Sequence, residues 1–341
     1  MPSAEPIRVG GPYFEDFEVG QVYDAPGLTI TAGHAAIHQA LVGDRMLLAL
    51  DATLSAAVTG RAEALAHPNL VCDVAIGQST GPTQRVRGNL FYRGLVLLRP
   101  VFIGDTLRTR TEIVGLRQNR PRADGSATGL VALRIRTENQ AGERVLDFWR
   151  CPMIPLRDAS IQTGHADRFD DIPVELDMDR VASAVPGGWN FDALRDLTGG
   201  SSFAGLEVGQ VYEIEGRDTV TAAPELVRLT LNVAKTHVDA TSGAHGRRLV
   251  YGGHTISVAA AQLTRALPAV VTIAAWRECN HTGPVFEEDR LSTVLTIEGK
   301  HELAHAPGVG LVDLRAQVAA EREGSDGGQP VLDWRLLAVM A

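Results

Sequence analysis

The residues best suited to chemistry lie in one stretch of the second half of this 341-residue chain, NVAKTHVD at 232–239. His237 can take up and return a proton at neutral pH, because a histidine titrates in that range. Asn232, earlier in the same stretch, can hold a water molecule through its amide but cannot act as a base. Asp239 adds a carboxylate close after the histidine. The segment therefore suggests proton transfer on a small molecule.

A second group of candidate residues follows in GRRLVYGGH at 246–254. Gly252 and Gly253 precede an apolar helical pattern, and backbone N–H groups at a helix N-terminus stabilise negative charge. Arg247 and Arg248 could pair with a carboxylate or with phosphates, since a guanidinium binds such anions bidentately. The same two arginines could equally be a solvated part of the surface. The segment thus combines donors for a developing negative charge with two candidate anion partners.

The first half contains a distorted relative of the histidine segment, GDRMLLALD at 43–51, in which Ala49 takes the position of His237. Four other pairs of segments repeat in the same order in both halves. They are FEDFEVGQVY at 14–23 and FAGLEVGQVY at 203–212, RPVFIGDTL at 99–107 and GPVFEEDRL at 283–291, GLVALR at 129–134 and GLVDLR at 310–315, and VLDFW at 145–149 and VLDWR at 331–335. A shared order at nearly constant offset predicts a duplicated domain.

The same elements are predicted to position these residues in each copy. A short opening strand precedes a helical stretch, and a longer apolar helix (VCDVAIGQST or GHTISVAAAQLTRAL) comes before strands with period-two patterning. Val131, Leu133 and Ile135, for example, alternate with polar or small residues, as a sheet with one covered face requires. One long helix and a run of antiparallel strands predict an α+β fold with the helix across one face of the sheet.

The duplication also predicts where the chain divides. The segment between the copies is acidic, lacks steady apolar alternation and contains Pro-Gly-Gly, so we expect a connector with a short helix. The predicted parts are a first domain at 1–160, the connector at 161–195 and a second domain at 196–341. Each half would leave a strand edge open, so we expect the copies to pair edge to edge as a covalent pseudo-dimer, with the central helices on the same side.

Composition restricts the class of protein. A formal net charge of -9 argues against general nucleic-acid binding, which requires a basic face, and favours a small-molecule partner. Three widely spaced cysteines suggest neither a disulfide framework nor a thiolate metal site, which favours the cytoplasm. No apolar run suggests a signal peptide or a membrane span, so no membrane partner is expected. The histidine spacings are not taken as a helical zinc site, and neither a metal nor a nucleotide cofactor is expected.

These features resemble the MaoC-like, (R)-specific enoyl-CoA hydratases, a family built on the hotdog fold. The family's motif is approximately Gly-Asp-x-Asn-Pro-x-His-x-Asp; a His-Gly pair then opens the central helix, and a later strand is entered through Pro-Val-Phe-x-Gly-Asp. Both halves match the last signature, apart from a glutamate in place of its glycine in the second half, so the resemblance covers nearly the whole chain and implies a tandem hotdog fold. The duplicated layout and GRRLVYGGH look most like the mesaconyl-CoA hydratase (β-methylmalyl-CoA dehydratase) branch.

Neither copy carries the family motif complete. In the first copy the matching positions are Gly43, Asp44 and Asp51, and the departures are Met46, Leu47 and Ala49. In the second copy the matching positions are His237 and Asp239, and the departures are Asn232, Ala234 and Lys235. Ahead of the central helix, VYGGH at 250–254 keeps a glycine where VCDVA at 71–75 would place Asp73. The second copy is therefore expected to carry the chemistry and the first to be degenerate.

The resemblance implies a role for each candidate. His237 would be the general acid/base, and the N–H groups of Gly252 and Gly253 would stabilise the thioester oxygen as it gains enolate charge. Tyr251, where the family often has histidine, would line the pocket. Because Asn232 replaces the family's aspartate, His237 would work alone or with a carboxylate, for which Asp239 and Asp44 are the candidates. Asp44 could instead be a relic or a turn cap.

The implied activity is hydration or dehydration of an enoyl-CoA thioester, with coenzyme A as part of the substrate and no separate cofactor. Arg247 or Arg248 would pair with the carboxylate of an acyl group such as mesaconyl. Two alternatives stay open. A hotdog thioesterase would use a carboxylate to direct water at the thioester carbonyl, and a non-catalytic acyl-CoA binding protein would bind without turnover. Whole chains could also associate as homodimers or larger oligomers.

Overall fold

The period-two segments of both halves form one antiparallel sheet in the computed structural model, which describes residues 7, 9–121, 126–198, 202–242, 246–324 and 327–341. The strands of the first half are β1 (Val22–Asp24), β2 (Leu28–Thr29), β3 (Gly88–Leu97), β4 (Thr106–Gln118), β5 (Thr128–Glu138) and β6 (Arg144–Pro155). Those of the second half are β7 (Val211–Glu213), β8 (Asp218–Thr219), β9 (Val270–His281), β10 (Arg290–Glu302), β11 (Gly310–Glu321) and β12 (Gln329–Met340). The core face of β5 carries Val131, Leu133 and Ile135, all fully buried, as their alternation predicts.

One long, buried helix in each half lies against this sheet, so the predicted α+β class is confirmed. These central helices are α4 (Pro68–Gln78) and α9 (Gly252–Ala266). The other helices are α1 (Ala32–Val42), α2 (Leu47–Leu50), α3 (Ala52–Thr59), α5 (Met178–Ser183), α6 (Asp192–Arg195), α7 (Ala223–Leu229) and α8 (Lys235–Val238), with 3-10 turns at Phe14–Asp16 and Ala240–Ser242. Pro68 is the first residue of α4, a position that tolerates proline because its N–H would be unpaired there anyway.

The strand order shows that the two halves are joined through their sheets. It runs β1-β4-β5-β6-β3-β9-β12-β11-β10-β7, with β2 beside β4 and β8 beside β10. The halves meet where β3 pairs with β9, with Leu95 opposite Trp276 and Val96 opposite Ala275. Helices α4 and α9 contact each other. The edge-to-edge pseudo-dimer expected from the repeat is therefore present, and the edge strands β3 and β9 cover each other.

The histidine segment of the second half docks onto the first half. Gly77 on α4 allows this approach, because a Cβ there would overlap the carbonyl oxygen of Thr230. The N–H of Val233 donates to Thr80 Oγ1 at 2.9 Å, and the N–H of Lys235 donates to the carbonyl of Gln84 at 2.9 Å. The position of the residues that follow in α8 is therefore set by both halves.

The segment between β6 and β7 is packed against both halves. It contains the two short helices α5 and α6, where the sequence predicted one. Val181 and Leu194 are fully buried in a cluster that includes Leu48 of α2 and Leu337 of β12. The connector therefore contributes to the core, while its predicted limits at residues 160 and 195 stay predictions.

No helix in the described parts of the chain has the length and apolar character needed to cross a membrane. Cys72, Cys151 and Cys279 are all buried, unpaired thiols. The cytoplasmic location expected from the sequence stays a prediction.

Candidate active site

A cavity of about 280 Å³ lies between the two halves and contains the principal candidate residue. The first half contributes Thr80, Tyr92 and Arg150 to its wall, and the second half contributes His237, Tyr251 and His281. Among the described residues that line it there are two arginines, Arg87 and Arg150, and no carboxylate. The cavity is therefore suited to an anionic molecule.

His237 is held in α8 with one ring nitrogen engaged and the other available. Its Nδ1 lies 2.8 Å from the carbonyl oxygen of Leu249, so Nδ1 carries the proton and donates it to that bond. Burial lowers the pKa of His237 to about 4; the Leu249 carbonyl opposes this shift, and the charge of Arg150 adds to it. At neutral pH His237 is thus uncharged, and the lone pair on Nε2 can accept a proton.

Asn232 also lines the cavity, and its orientation is fixed by a turn. Its Oδ1 accepts the N–H of Ala234 at 2.9 Å. Asp44 makes the same turn in the first half, where Oδ1 accepts the N–H of Met46 at 2.6 Å. The Asn232 oxygen accepts this one bond, while its amide N–H₂ donates no bond to a described residue and is available to a ligand. The two residues are structural equivalents, as the motif predicts.

The N-terminus of helix α9 meets the cavity at Tyr251 and Gly252. The N–H groups of Gly252 and Gly253 donate no hydrogen bond within the described chain, so both are free donors at the positive end of a long helix. Tyr251 packs edge-on against the ring of His237, with ring centroids 5.6 Å apart. Burial and the nearby Asp73 carboxylate raise the pKa of Tyr251, so its hydroxyl remains protonated.

A Cβ on Gly253 would overlap Oδ1 of Asp73 and the ring of Tyr251. The expected alignment of Asp73 with the helix-opening glycine is wrong. Because α4 begins at Pro68 and α9 at Gly252, His67 is the equivalent of Tyr251, and Asp73 lies within α4. The apolar periodicity concealed this shift, whereas proline at the first helical position could have revealed it.

His281, at the end of β9, is a cavity residue that the motif did not indicate. Its ring packs against Gly252, where a Cβ would collide with Nε2. Burial, and next the charge of His237, lower the pKa of His281 to about 4. Pro68 and Gly252, the first residues of α4 and α9, are equivalent positions of the two halves. By the same spacing, the counterpart of His281 in the first half is Leu97. A polar residue at this otherwise apolar strand position was the available signal.

Arg150 is a second cavity residue that the motif did not indicate. It lies on β6 opposite Tyr92 and is 3% exposed, on the strand face that also carries the buried Leu146 and Phe148. Its counterpart in β12, opposite Trp276, is Leu336. An arginine in a core-facing register, replaced by leucine in the other copy, was the sequence signal for it.

Three candidates that were expected to touch substrate lie outside the cavity wall, and these expectations are corrected. Asp239 is exposed and caps a turn by accepting from the N–H and Oγ1 of Thr241 at 2.9 and 2.8 Å. Arg248 forms a surface ion pair with Glu287 at 2.5 Å. Arg247 stacks over Phe286 at 4.4 Å from the ring centroid. Arg247 and Arg248 are close to the glycine pair in sequence, but their side chains contact Phe286 and Glu287 at the surface and do not enter the cavity.

Asp44 is likewise absent from the cavity wall and belongs to a separate buried cluster in the first half. It is 2% exposed, and Oδ1 lies 3.1 Å from Nε2 of His67. Burial opposes ionisation of Asp44, yet the neighbouring His67 and the N–H of Met46 lower its pKa. Nε2 of His38 lies 3.8 Å from Asp73 in the same region. The turn-capping alternative for Asp44 is therefore the one that fits its contacts.

The first half forms a pocket at the position equivalent to the cavity, but it is nearly filled. Its volume is about 30 Å³, and its wall contains Pro68 and Leu97 where the larger cavity has Gly252 and His281. The connector supplies Val185 and other residues that cover it; these are Ala184, Pro186 and Trp189. A substrate-sized molecule has no room there.

The letters HELAH at 301–305 have the spacing of a helical zinc motif, which the sequence reasoning overlooked. The fold does not place them on a helix: His301 lies in the last part of β10, one residue before its end, and pairs with Asp313 at 2.6 Å. His305 lies in the following turn, 2.9 Å from the carbonyl of Val185. Within the described residues no group of three or more His, Cys, Asp or Glu side chains could hold a metal ion.

Comparisons with known proteins identify relatives along almost the full chain, although no protein-family model matches it. Mesaconyl-CoA hydratase from Cereibacter sphaeroides is 31% identical over 325 residues, which is 93% of this chain and 91% of that protein. β-Methylmalyl-CoA dehydratase from Chloroflexus aurantiacus is 31% identical over 329 residues, covering 93% and 90%.

Solved structures share the fold. A conserved hypothetical protein from Mycobacterium tuberculosis, described as a double hotdog, superposes with a TM-score of 0.88 at 47% identity, covering 98% of this chain and 100% of that one. A MaoC domain protein dehydratase from Chloroflexus aurantiacus gives a TM-score of 0.85 at 26% identity, with coverages of 100% and 99%. The tandem hotdog fold implied by the sequence is therefore confirmed.

Proposed function

The chain belongs to the MaoC-like, double-hotdog family of enoyl-CoA hydratases and dehydratases, and we propose that its substrate is a carboxylate-bearing enoyl-CoA of the mesaconyl type. Both curated relatives are named for such a substrate or its hydrated product. The observation that supports the hydration chemistry is the neutral His237, whose free Nε2 shares a cavity with the N-terminus of α9. The reaction class is that of a hydro-lyase, which adds or removes water across the double bond.

In the hydration direction, His237 Nε2 takes a proton from water as the water oxygen bonds to the β-carbon. The electron pair of the double bond moves through the α-carbon onto the thioester oxygen, giving an enolate. The protonated His237 then returns its proton to the α-carbon, so that H and OH have been added and the base is regenerated. Dehydration follows the same steps in reverse. One histidine suffices for both transfers, so the carboxylate lost at Asn232 is not required.

The developing enolate oxygen needs a donor, and the free N–H group of Gly252, which lines the cavity, supplies it; Gly253 follows at the start of α9 but is not part of the cavity wall. A backbone donor aimed at such an oxygen is worth roughly 3 to 4 kcal/mol in enzymes that use one. The dipole of α9 acts in the same direction. The Asn232 N–H₂ can donate to the oxygen of the attacking water and leave the water protons directed at His237.

A thioesterase is the second candidate, and the cavity argues against the version that depends on a carboxylate. No Asp or Glu is among the described lining residues, so direct activation of water by a carboxylate has no candidate there. A non-catalytic acyl-CoA binding protein would not need a neutral imidazole with a free Nε2. Association of whole chains and the absence of a separate cofactor stay predictions.

Incubation with mesaconyl-CoA and with crotonyl-CoA tests the proposal. We expect loss of the enoyl-thioester absorbance with mesaconyl-CoA, without release of free coenzyme A thiol. Thiol release at the rate of substrate loss would support the thioesterase instead. Saturable binding of both thioesters without any turnover would support the non-catalytic alternative.

A further inference from the structure

Arg150 is a cation deep in the wall of the cavity. Its side chain extends from β6 into the core face of the sheet, and it is the only arginine among the buried residues of the described chain. The equivalent position of the second half holds Leu336, which is fully buried. The fold therefore accommodates an apolar side chain at this position, and the arginine is a specific feature of the open cavity.

The guanidinium of Arg150 is only partly satisfied. Its Nη2 donates to the carbonyl of Ser79 at 3.0 Å and to Thr83 Oγ1 at 2.8 Å. Nε has no hydrogen-bond partner, and across the described residues no carboxylate lies within ion-pair distance of Arg150. By contrast, Arg134 and Arg180 share the buried carboxylate of Asp147 at 3.2 and 3.0 Å. A buried charge without a counter-charge is unfavourable, and an anion from solution would relieve it.

Arg150 is close to the groups assigned to the chemistry. Its charge contributes to lowering the pKa of His237, and it also acts on Tyr92 and Tyr251, which line the same cavity. A negative charge bound to Arg150 would therefore share the cavity with His237. The thioester oxygen has its own donor at the start of α9, and Arg150 is 3% exposed, whereas coenzyme A phosphates are better matched by a solvent-exposed cation.

We propose that Arg150 binds the free carboxylate of the acyl group and thereby selects dicarboxylic enoyl-CoA thioesters over neutral ones. The guanidinium presents N–H groups in a fixed fork that matches a carboxylate, which a lysine cannot reproduce. Binding of an uncharged acyl group would leave Arg150 buried and unpaired. This inference rests on the proposed hydratase function and replaces Arg247 and Arg248, which lie on the surface, as the partner of the substrate carboxylate.

The test compares two thioesters that differ at one group: mesaconyl-CoA and tiglyl-CoA, in which a methyl replaces the carboxylate. For wild type we expect a higher kcat/KM with mesaconyl-CoA. In Arg150→Leu, which introduces the residue of the equivalent position, kcat/KM for mesaconyl-CoA should fall by roughly 100-fold or more, on the scale of leaving a designed polar contact unmade. With tiglyl-CoA it should stay level or rise. Arg150→Lys should lose mesaconyl-CoA activity to a smaller extent.

Matched surface variants provide the control. Arg247→Ala and Arg248→Ala should change kcat/KM for both thioesters in the same proportion, because neither side chain lines the cavity. Calorimetric binding to His237→Ala and to His237→Ala/Arg150→Leu separates recognition from turnover: the second substitution should weaken mesaconyl-CoA and leave tiglyl-CoA unchanged. Circular dichroism checks folding, and if Arg150→Leu does not fold, Arg150→Lys decides with the same pair of substrates.

Equal losses on both thioesters in the Arg150 variants would overturn the inference while leaving the hydratase function intact. A wild-type preference for tiglyl-CoA would do the same. Failure of wild type to hydrate either thioester would instead contradict the proposed function itself, so the two failures are distinguishable.

Discussion

The two halves of this chain build the same pocket twice, and only one of the two is open. The cavity that contains His237 measures about 280 Å³, whereas its counterpart in the first half measures about 30 Å³ and is covered by connector residues such as Val185. At equivalent positions the open site has His237 where the closed one has Ala49. The chemical side chain and the space for substrate were therefore lost from the same half.

The closed half nevertheless keeps a carboxylate that the open half lacks. Asp44 and Asn232 make the same turn, but Asp44 is buried against His67, while Asn232 lines the open cavity. A carboxylate without an accessible cavity cannot act on substrate. The comparison shows that a motif residue has to be judged by the space in front of it as well as by its identity.

The largest effect is expected from giving the open site the residue of the closed one. His237→Ala removes the proposed general base, so turnover of mesaconyl-CoA should fall by roughly 100-fold or more, the usual scale for such a group. The fold should survive, because Ala49 already occupies the equivalent helical position. Steady-state kinetics on a variant with wild-type circular dichroism measures this. Turnover near that of wild type would exclude His237 from the mechanism.

A pH profile of kcat/KM tests why the open site works at neutral pH. Burial lowers the pKa of His237 to about 4, and the base acts only when unprotonated. Activity should therefore stay level as pH falls from 7 to about 5, and decline only as pH approaches 4. A decline centred near 6.5 would show that the imidazole is not buried as a neutral group.

Loss of activity at low pH could also come from unfolding of the protein, so the pH profile requires a control for the folded state. The pKa values of His254 and His281 are also lowered to about 4 by burial. Groups with lowered folded-state pKa stabilise the fold above their unfolded value near 6.5, and that stability is lost as pH falls from there through 4. Circular dichroism at each pH separates this loss from protonation of the base.

A smaller effect is expected from giving the open site the carboxylate of the closed one. Asn232→Asp should fold and keep kcat/KM for mesaconyl-CoA within about tenfold of wild type, because the two side chains are nearly isosteric and His237 supplies the base. The Asp44 turn shows that a carboxylate oxygen can accept the same N–H. Complete inactivation of a folded protein would mean that the amide N–H₂ is an essential donor.

The smallest effect is expected from restoring the histidine in the closed half. Ala49→His in the His237→Ala background should recover no hydration, because the equivalent pocket of the first half is nearly filled and Ala49 is not among the residues that line it. The double variant is compared with His237→Ala using the same absorbance assay. Any recovery of turnover would show that the pocket opens in solution and that only the missing histidine keeps it inactive.

Much of the fold was predictable, because repeats and periodic apolar residues report local structure directly. The duplicated halves, the α+β class and the central helices follow from patterns such as Val131, Leu133 and Ile135. The residue at which a helix begins is harder to predict within an apolar run. The sequence therefore aligned Asp73 with the start of the helix, whereas α4 begins at Pro68. The proximity of Arg247 and Arg248 to the glycine pair was misleading, because neighbours in sequence extend in different directions.

The sequence by itself determined which half retains His237 and that Asn232 has replaced a carboxylate, since motif spacing records both. Only the tertiary structure decided that Arg150 of the first half lines the same cavity as His237 and that Asp44 and Asp239 do not. It also decided that the connector covers the pocket of the first half. The physical reason is that the cavity lies between two halves joined by pairing of β3 with β9. Its wall is therefore assembled from residues far apart in the chain, and no local pattern encodes their contact.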